Sequence, residues 1–149
     1  MQKPPDTSTV LLIEDSIDDY DATVRGFTKA HFLNPIHWCV SGEDALSYLR
    51  REGEYATDWN SLTPGLILLD LNMPGLDGKK TLEILKQDQN LKHIPVVVLT
   101  TSADENDMTQ CYKLGANTYI PKPVDFEGFV EVISGIKEYW FGTAILPSH

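Results

Sequence analysis

The sequence predicts an α/β fold built on a doubly wound parallel sheet. Short aliphatic runs alternate along the chain with segments whose apolar residues recur about every 3.6 residues, which is the period of a helix. The runs are apolar throughout, as is typical of strands buried on both faces of a parallel sheet. The 149 residues, of which 42% are hydrophobic, suffice for one domain with a sizeable core. We therefore expect helices on both sides of the sheet.

Five strands and five helices are predicted in alternation. The strands are expected at residues 9–13, 36–40, 66–69, 96–100 and 118–120. The helices are indicated in order by Ile17, Tyr20, Val24 and Phe27, by Ala45, Leu46 and Leu49, by Leu82 and Leu85, by Met108, Cys111 and Tyr112, and by Phe126, Phe129, Val130, Ile133 and Ile136. The fourth helix should end at Leu114 and Gly115, because glycine commonly terminates helices. Residues 51–65 carry turn-forming residues and little periodicity, which predicts an exposed loop.

Charge and cysteine content exclude several classes of function. A formal net charge of -10 without a run of Lys and Arg opposes direct binding to nucleic acids or anionic membranes. Cys39 and Cys111 lack the spacing of a metal site, so both are expected to be buried reduced thiols. The N-terminal residues lack the pattern of a signal peptide, and no apolar run approaches the roughly 20 residues that span a bilayer. We expect a soluble cytoplasmic protein.

Polar residues stand at the carboxyl ends of four of the five predicted strands. Glu14 and Asp15 follow the first strand, Asp70 the third and Lys122 the fifth, while Thr100 ends the fourth. Ligands of open parallel sheets bind outside these strand ends, so we expect the five side chains to converge. Taken singly, each of four residues also has a structural explanation. Glu14 and Asp15 are favourable before a helix start, Thr100 fits the end of a strand, and a lone lysine such as Lys122 is usually on the solvated surface. Asp70 has no such explanation, because it is joined directly to a buried aliphatic run.

Three converging carboxylates need a compensating cation, because like charges repel and are unfavourable to desolvate. Mg²⁺ prefers oxygen ligands from carboxylates, backbone carbonyls, water and phosphate. The predicted ligands are Glu14, Asp15, Asp70 and the backbone carbonyl of Asn72, with one carboxylate able to act through water.

An aspartate next to such an ion is a competent nucleophile toward phosphorus, once the charge of the phosphoryl group is neutralised. Asp70 is therefore the predicted phosphoacceptor. Lys122 can pair with a phosphoryl oxygen as a point charge, and Thr100 can donate a hydrogen bond to another.

These motifs resemble those of the receiver domain of two-component response regulators. The stretch "DLNMPGLDG" at 70–78 matches the phosphoacceptor signature of that family. The likeness extends over about residues 9–138, through "VLLIEDSIDD", "VVVLTTSA" and "GANTYIPKP". The resemblance implies a flavodoxin-like sheet of strand order 2-1-3-4-5, Mg²⁺ as cofactor, a histidine kinase as phosphoryl donor and a phosphorylation-dependent change of surface.

The resemblance also implies a role for each site residue. Asp70 would be the phosphoacceptor, Glu14 and Asp15 the acidic pair, Thr100 the switch hydroxyl, Tyr119 the switch aromatic and Lys122 the phosphate-pairing lysine. The bond between Lys122 and Pro123 is typically cis in the family, which implies a turn of that kind here. Two departures, Glu14 in place of a common aspartate and Thr101 in place of a common alanine, should affect rates and leave the function intact.

Residues 51–65 and the tail "EYWFGTAILPSH" are similar to those of single-domain regulators that pair with bacterial phytochrome kinases. This resemblance implies a light-sensing kinase as the donor. The predicted organisation is a receiver domain at 7–138 and an aromatic extension at 139–149, which is too short for an output domain. The output should therefore be a partner or self-association.

Two arrangements of the extension are open at this point. Trp140 and Phe141 can fold back on their own domain. Alternatively, the apolar residues extend the face of the fourth helix, fifth strand and fifth helix in a homodimer, which is the arrangement we expect. The residues concerned are Tyr139, Trp140, Phe141, Ile145 and Leu146.

Three other classes of protein share part of the pattern. A small metal-dependent phosphatase would carry D-x-D, but position 72 is Asn, which cannot act as general acid or base. A flavin or nucleotide module would have a Gly-rich turn after the first strand, whereas this chain has "EDSIDDYD". A phosphorylation-independent scaffold usually lacks the acceptor aspartate or the lysine, whereas this chain has both Asp70 and Lys122. We expect no enzymatic activity beyond phosphotransfer and autodephosphorylation.

Overall fold

All five predicted strands form, and they make one parallel sheet. The computed structural model describes residues 8–56, 63–73, 75–144 and 146. The strands are β1 Val10–Ile13, β2 Ile36–Cys39, β3 Leu66–Leu69, β4 Val96–Thr100 and β5 Thr118–Pro121. Their order across the sheet is β2-β1-β3-β4-β5, and every neighbouring pair is parallel. The predicted fold class and strand order are confirmed.

Five α-helices connect and follow these strands. They are α1 Ile17–Lys29, α2 Gly42–Arg50, α3 Gly78–Gln87, α4 Glu105–Leu114 and α5 Phe126–Ile136. Each begins with a Ser or Asp side chain that accepts a hydrogen bond from a backbone N–H of the first turn, which satisfies a donor that the helix leaves unpaired. These N-cap residues are Ser16, Ser41, Asp77, Asp104 and Asp125. Helix α4 ends as predicted at Gly115, whose φ of 108° lies in the left-handed region.

The core lies on both faces of the sheet, as expected for strands that are apolar throughout. The three central strands are buried at every residue. One cluster packs α2, α3 and α4 against one face, and the other packs α1 and α5 against the opposite face. Cys39 and Cys111 are both buried and free, which confirms their predicted state. Among the described residues, no helix is both long and apolar enough to cross a membrane.

The predicted exposed loop after α2 is anchored to the domain at one residue. Residues 51–54 are exposed, but Gly53–Tyr55 form a 3-10 turn that brings Tyr55 against the domain. The Tyr55 hydroxyl donates to Asp44 Oδ1 at 2.9 Å, and its ring meets the Tyr48 ring edge-on at 5.2 Å. The loop is therefore only partly exposed, and residues 57–62 lie outside the described residues.

The C-terminal segment continues α5 without a break. Residues Lys137–Thr143 form a π-helix directly after Ile136. Phe141 is buried against the α1 and α5 side of the core, with its ring 5.4 Å from that of Phe32. Leu146 packs against the same cluster, whereas Tyr139 is 55% exposed. Trp140 packs against this cluster too, so folding back is the arrangement of Trp140, Phe141 and Leu146. The expectation that these three residues are anchors of a dimer is wrong for this structure, and Ile145 lies outside the described residues.

We predict that Phe141→Ala lowers the free energy of unfolding by about 3 kcal/mol, because it removes a buried ring and leaves a cavity. The matched control is Tyr139→Ala, which truncates a largely exposed ring in the same segment and, at concentrations where the protein is monomeric, should change stability by less than about 0.5 kcal/mol. Urea unfolding of both variants measures the difference. Equal, small losses for the two variants would show that the segment does not belong to the core in solution.

Candidate functional site

Three carboxylates meet at the carboxyl edge of the sheet, as the sequence predicts. Strands β1 and β3 are neighbours with Ile13 opposite Leu69, so the residues that follow them lie side by side. One carboxylate oxygen from each of Glu14, Asp15 and Asp70 lies within 4.8 Å of the others. Glu14 and Asp70 are buried, and Asp15 is exposed. Three hard oxygen donors within this distance suit a divalent cation.

Lys122 supplies a positive charge inside the same cluster. Its Nζ donates to Glu14 Oε1 at 2.8 Å and lies 3.7 Å from Asp19 Oδ2. Burial alone would lower the pKa of Lys122, but the hydrogen bond to Glu14 and the charges of Glu14, Asp70 and Asp19 outweigh it and raise that pKa. The ammonium group therefore stays charged. Asp19 was missed in the sequence analysis, although it stands in the quoted "EDSIDD" segment.

Glu14 holds a proton more tightly than an ordinary glutamate. Its pKa is raised from 4.5 to about 7, chiefly because burial disfavours the carboxylate, with a further contribution from the charge of Asp70. The hydrogen bond and charge of Lys122 oppose this shift without cancelling it. One lysine is thus insufficient compensation for the cluster, which fits the predicted need for a cation.

The Thr100 hydroxyl lies in a polar network next to Asp70. Thr100 is fully buried, and its Oγ1 accepts hydrogen bonds from Ser102 N at 3.3 Å and from Asn72 Nδ2 at 3.5 Å. The Asn72 amide also donates to Thr101 Oγ1 at 3.3 Å, and its backbone N–H donates to Asp70 Oδ1 at 3.4 Å. Asn72 therefore links the predicted acceptor to the predicted switch hydroxyl. Its role as a backbone ligand stays a prediction.

Tyr119 is buried and turned toward the loop that follows β4. Its hydroxyl donates to the carbonyl of Ser102 at 2.8 Å. Because Ser102 N also donates to Thr100 Oγ1, the two predicted switch residues are connected through one loop residue.

Ser102 extends this connection to α4 and α3. Its hydroxyl donates to Asp107 Oδ2 at 2.7 Å, and Asp107 is also hydrogen-bonded to Lys79 of α3. Lys79 donates in addition to Gln110 Oε1 at 2.8 Å. Lys79 first and Ser102 second lower the pKa of Asp107. No sequence pattern predicts this group, because contacts between a loop and two helices follow no periodic spacing.

The turn after β3 requires a glycine at position 78. A Cβ there would lie 2.5 Å from the Asp70 carbonyl oxygen and 2.5 Å from Leu71 Cα, and backbone atoms cannot give way as a flexible side chain can. The Gly78 N–H donates to the Leu71 carbonyl at 3.3 Å. The start of α3 is therefore packed directly against the backbone that carries Asp70.

The peptide bond between Lys122 and Pro123 is trans, and the cis turn that the resemblance implied is wrong for this structure. The two isomers of a bond to proline differ by only about 1 kcal/mol, so the residue pair alone does not select one.

An open groove of about 500 Å³ adjoins the site on the side of α1 and the start of α5. Its lining includes Lys122 and Thr101 of the site, together with Arg25, Val124 and Phe126. Val124 is fully exposed. The groove gives a second molecule access to the edge of the carboxylate cluster.

Comparisons with known proteins agree with this geometry. The family model described as "Response regulator receiver domain" matches residues 10–134. The response regulator Rcp1 of Synechocystis sp. is 37% identical over 145 residues, which cover 97% of this chain and 95% of that protein.

Two solved structures are similar over nearly the whole chain. The phosphorylated cyanobacterial phytochrome response regulator RcpA has a TM-score of 0.88 at 39% identity, covering 96% of this chain and 100% of that chain. The Mn²⁺-bound form of Rcp1 has a TM-score of 0.85 at 37% identity, covering 95% and 99%.

We predict that the metal-free protein loses the contribution of Glu14 to stability as pH rises. The pKa of Glu14 is about 7 in the folded protein and 4.5 as a model value, so the folded state binds this proton more tightly. The contribution is fully present below about pH 4.5 and is lost as pH rises through about 7.

Urea unfolding between about pH 4 and pH 8 measures this contribution when wild type is compared with Glu14→Gln, whose side chain does not titrate. Glu83→Gln, on the surface of α3, is the control for loss of a glutamate elsewhere. Wild type should lose stability relative to Glu14→Gln over this range. Parallel profiles would contradict the raised pKa.

Proposed function

The chain belongs to the response regulator receiver domain family, and we propose that Asp70 is the residue on which it accepts a phosphoryl group. The observation that carries this proposal is the cluster of three carboxylates within 4.8 Å at the edge of the sheet. Among them, Asp70 follows a central strand and has the turn of Asn72 and Gly78 around it. The Asn72 N–H donates to the Asp70 carboxylate, and Gly78 packs against the backbone that carries it.

The cofactor we propose is Mg²⁺, held by Glu14, Asp15, Asp70 and the carbonyl of Asn72. The oxygen donors of the three carboxylates fit a hard divalent cation. The Mn²⁺-bound form of the relative Rcp1 supports a divalent metal in this kind of site. A bound cation supplies positive charge that offsets the negative charge of the acids and of the phosphoryl group.

Transfer from a histidine kinase needs a nucleophile and two groups that recognise phosphoryl oxygens. A carboxylate oxygen of Asp70 forms the new bond to phosphorus while the bond from phosphorus to the donor imidazole nitrogen breaks, and the electron pair remains on that nitrogen. Lys122, which pairs with Glu14 in this structure, provides a charge for one phosphoryl oxygen. The Thr100 hydroxyl donates to another phosphoryl oxygen. Tyr119 is linked to Thr100 through hydrogen bonds of Ser102 and moves with it.

The kinase we propose as donor is a phytochrome. Support comes from the relative RcpA, described as a cyanobacterial phytochrome response regulator, and from the match over nearly all of both chains. We place the protein in the cytoplasm, since its two free buried cysteines suit a reducing compartment. Its chemistry is confined to phosphotransfer and autodephosphorylation, and its net charge of -10 opposes a nucleic-acid partner.

The output we propose is self-association through α4, β5, α5 and the C-terminal segment. Exposed apolar side chains occur on the two ends of this face, with Met108 at 37% and Tyr112 at 49% on α4 and Tyr139 at 55% after α5. A two-fold contact would cover the same patch on both copies. The hydrogen bonds from Thr100 through Ser102 to Asp107 provide a connection between the phosphoryl site and α4.

We predict that a small-molecule phosphodonor with Mg²⁺ adds one phosphoryl group to the wild-type protein and none to Asp70→Asn. The amide of the variant cannot act as the nucleophile. Mass spectrometry of the intact protein gives the number of groups added. Asp21→Asn, which neutralises an exposed acid on α1, is the matched control and should label like wild type.

Excess chelator should reduce labelling of the wild type strongly, because the acids would then be left without their compensating charge. Labelling of Asp70→Asn at the wild-type level would refute Asp70 as acceptor. Full labelling in chelator would refute the metal requirement and leave the acceptor assignment untouched.

We predict that Tyr139→Ser weakens self-association about tenfold or more, as expected for removal of an aromatic anchor from an interface. Val40→Ser is the matched control, because Val40 is 49% exposed and follows β2 at the opposite edge of the sheet. Sedimentation equilibrium of both variants, with and without phosphodonor, measures the association constant. A wild type that stays monomeric in both states would rule out the dimer.

A further inference from the structure

Trp38 reaches from the edge strand β2 to the loop that carries the acidic pair. Its indole N–H donates a hydrogen bond to the backbone carbonyl of Glu14 at 2.6 Å. Its ring stacks on Tyr20 of α1, with 4.2 Å between ring centroids and 11° between planes. We propose that Trp38 is a positioning residue that sets the carboxylates of Glu14 and Asp15 for the divalent cation. This inference rests on the proposed metal site.

The backbone of Glu14 is held by β2 through both of its polar groups. Its N–H donates to the Cys39 carbonyl at 3.0 Å, and its carbonyl accepts from Trp38. The peptide bond between Glu14 and Asp15 is trans, so fixing the direction of the carbonyl also fixes the opposite direction of the Asp15 N–H. The directions in which the Glu14 and Asp15 side chains leave the backbone are then set, because the backbone at these residues cannot rotate freely.

The hydrogen bond with Trp38 matters most for Asp15. The Glu14 carboxylate is also held by Lys122 at 2.8 Å and by Ser16 N at 3.4 Å, whereas Asp15 is exposed. Without Trp38, the carbonyl at the end of β1 would be free to turn toward water, and Asp15 would adopt several orientations. Ordering Asp15 before the cation binds reduces the entropy lost on binding.

The stack on Tyr20 connects the same restraint to α1. Tyr20 directly follows Asp19, whose carboxylate lies 3.7 Å from Lys122 Nζ. Trp38 therefore contacts two elements near the site. Its indole N–H binds the end of β1, where Glu14 and Asp15 lie. Its ring stacks on the turn of α1 that carries Asp19, the acid near Lys122. The ring is only partly buried, so its position is not explained by core packing alone.

The decisive variant is Trp38→Phe, which keeps an aromatic ring to stack on Tyr20 and removes the N–H donor. Calorimetric titration with MgCl₂ should show about fivefold weaker binding, because the acids of the variant are less ordered before the cation binds. Trp140→Phe, in the C-terminal segment, is the matched control and should bind Mg²⁺ like wild type. Circular dichroism establishes that the variants are folded.

Tryptophan emission provides a readout that a purely structural role would leave unchanged. Adding MgCl₂ should alter the emission of wild type and of Trp140→Phe, and this change should be absent from Trp38→Phe. Affinity and emission responses of Trp38→Phe equal to those of wild type would overturn the positioning role. If the wild type itself binds no Mg²⁺, the proposed metal site fails along with the inference, and only that result removes both.

If Trp38→Phe does not fold, benzothienylalanine at position 38 replaces it, because this residue has the shape of tryptophan with sulfur in place of the N–H. It should fold and bind Mg²⁺ about fivefold more weakly. Wild-type affinity in that protein would show that the ring matters through packing and would overturn the proposal.

Discussion

The buried ion pair between Glu14 and Lys122 is the interaction on which the site depends. It joins residues 108 positions apart at 2.8 Å, and so it links the end of β1 to the end of β5 across the sheet. A buried carboxylate without such a partner would be strongly destabilising, yet a single lysine leaves the pKa of Glu14 at about 7. The ion pair therefore keeps the fold intact, but the positive charge of Lys122 does not fully offset the negative charge of the carboxylates. A bound cation would offset the remaining negative charge of the carboxylates. A phosphoryl group could then replace Glu14 as the partner of the Lys122 ammonium.

Much of the fold could be predicted because it depends on local patterns. Aliphatic runs identified the three central strands, and Asp70 stood out because it follows one of them directly. The residues at strand ends converge for a topological reason, so their meeting could be expected without coordinates. Asp19, Ser102, Asp107 and Trp38 were missed because their roles arise from contacts across elements that no spacing records. The aromatic tail was ambiguous for a different reason: an apolar segment requires burial, but its composition does not say which surface supplies it.

The region around Thr100, Tyr119 and Ser102, which we propose as the switch, combines two restraints that differ in strength. Thr100 and Tyr119 are buried and connected through Ser102, so movement of either alters the same loop. Asp107 and Lys79 hold that loop at the half-exposed surface, where an ion pair contributes less than a buried one. A change that starts in the dry interior thus reaches the surface at a point that is comparatively easy to rearrange. Such an arrangement favours two discrete states over a gradual deformation.

The outer side of β5 constrains what kind of partner this face can receive. The backbone N–H and C=O groups of alternate residues in a strand point toward the same neighbouring strand. Lys122 N donates to the Thr100 carbonyl of β4, so the backbone groups of Tyr119 and Pro121 point away from β4. The Tyr119 N–H is already taken by the hydroxyl of Tyr112 at 3.1 Å, and proline has no N–H to offer. A sixth strand could not be added here through the usual ladder of hydrogen bonds. The edge is therefore protected against sheet extension and the aggregation that it brings, and any molecule that binds there must recognise side chains.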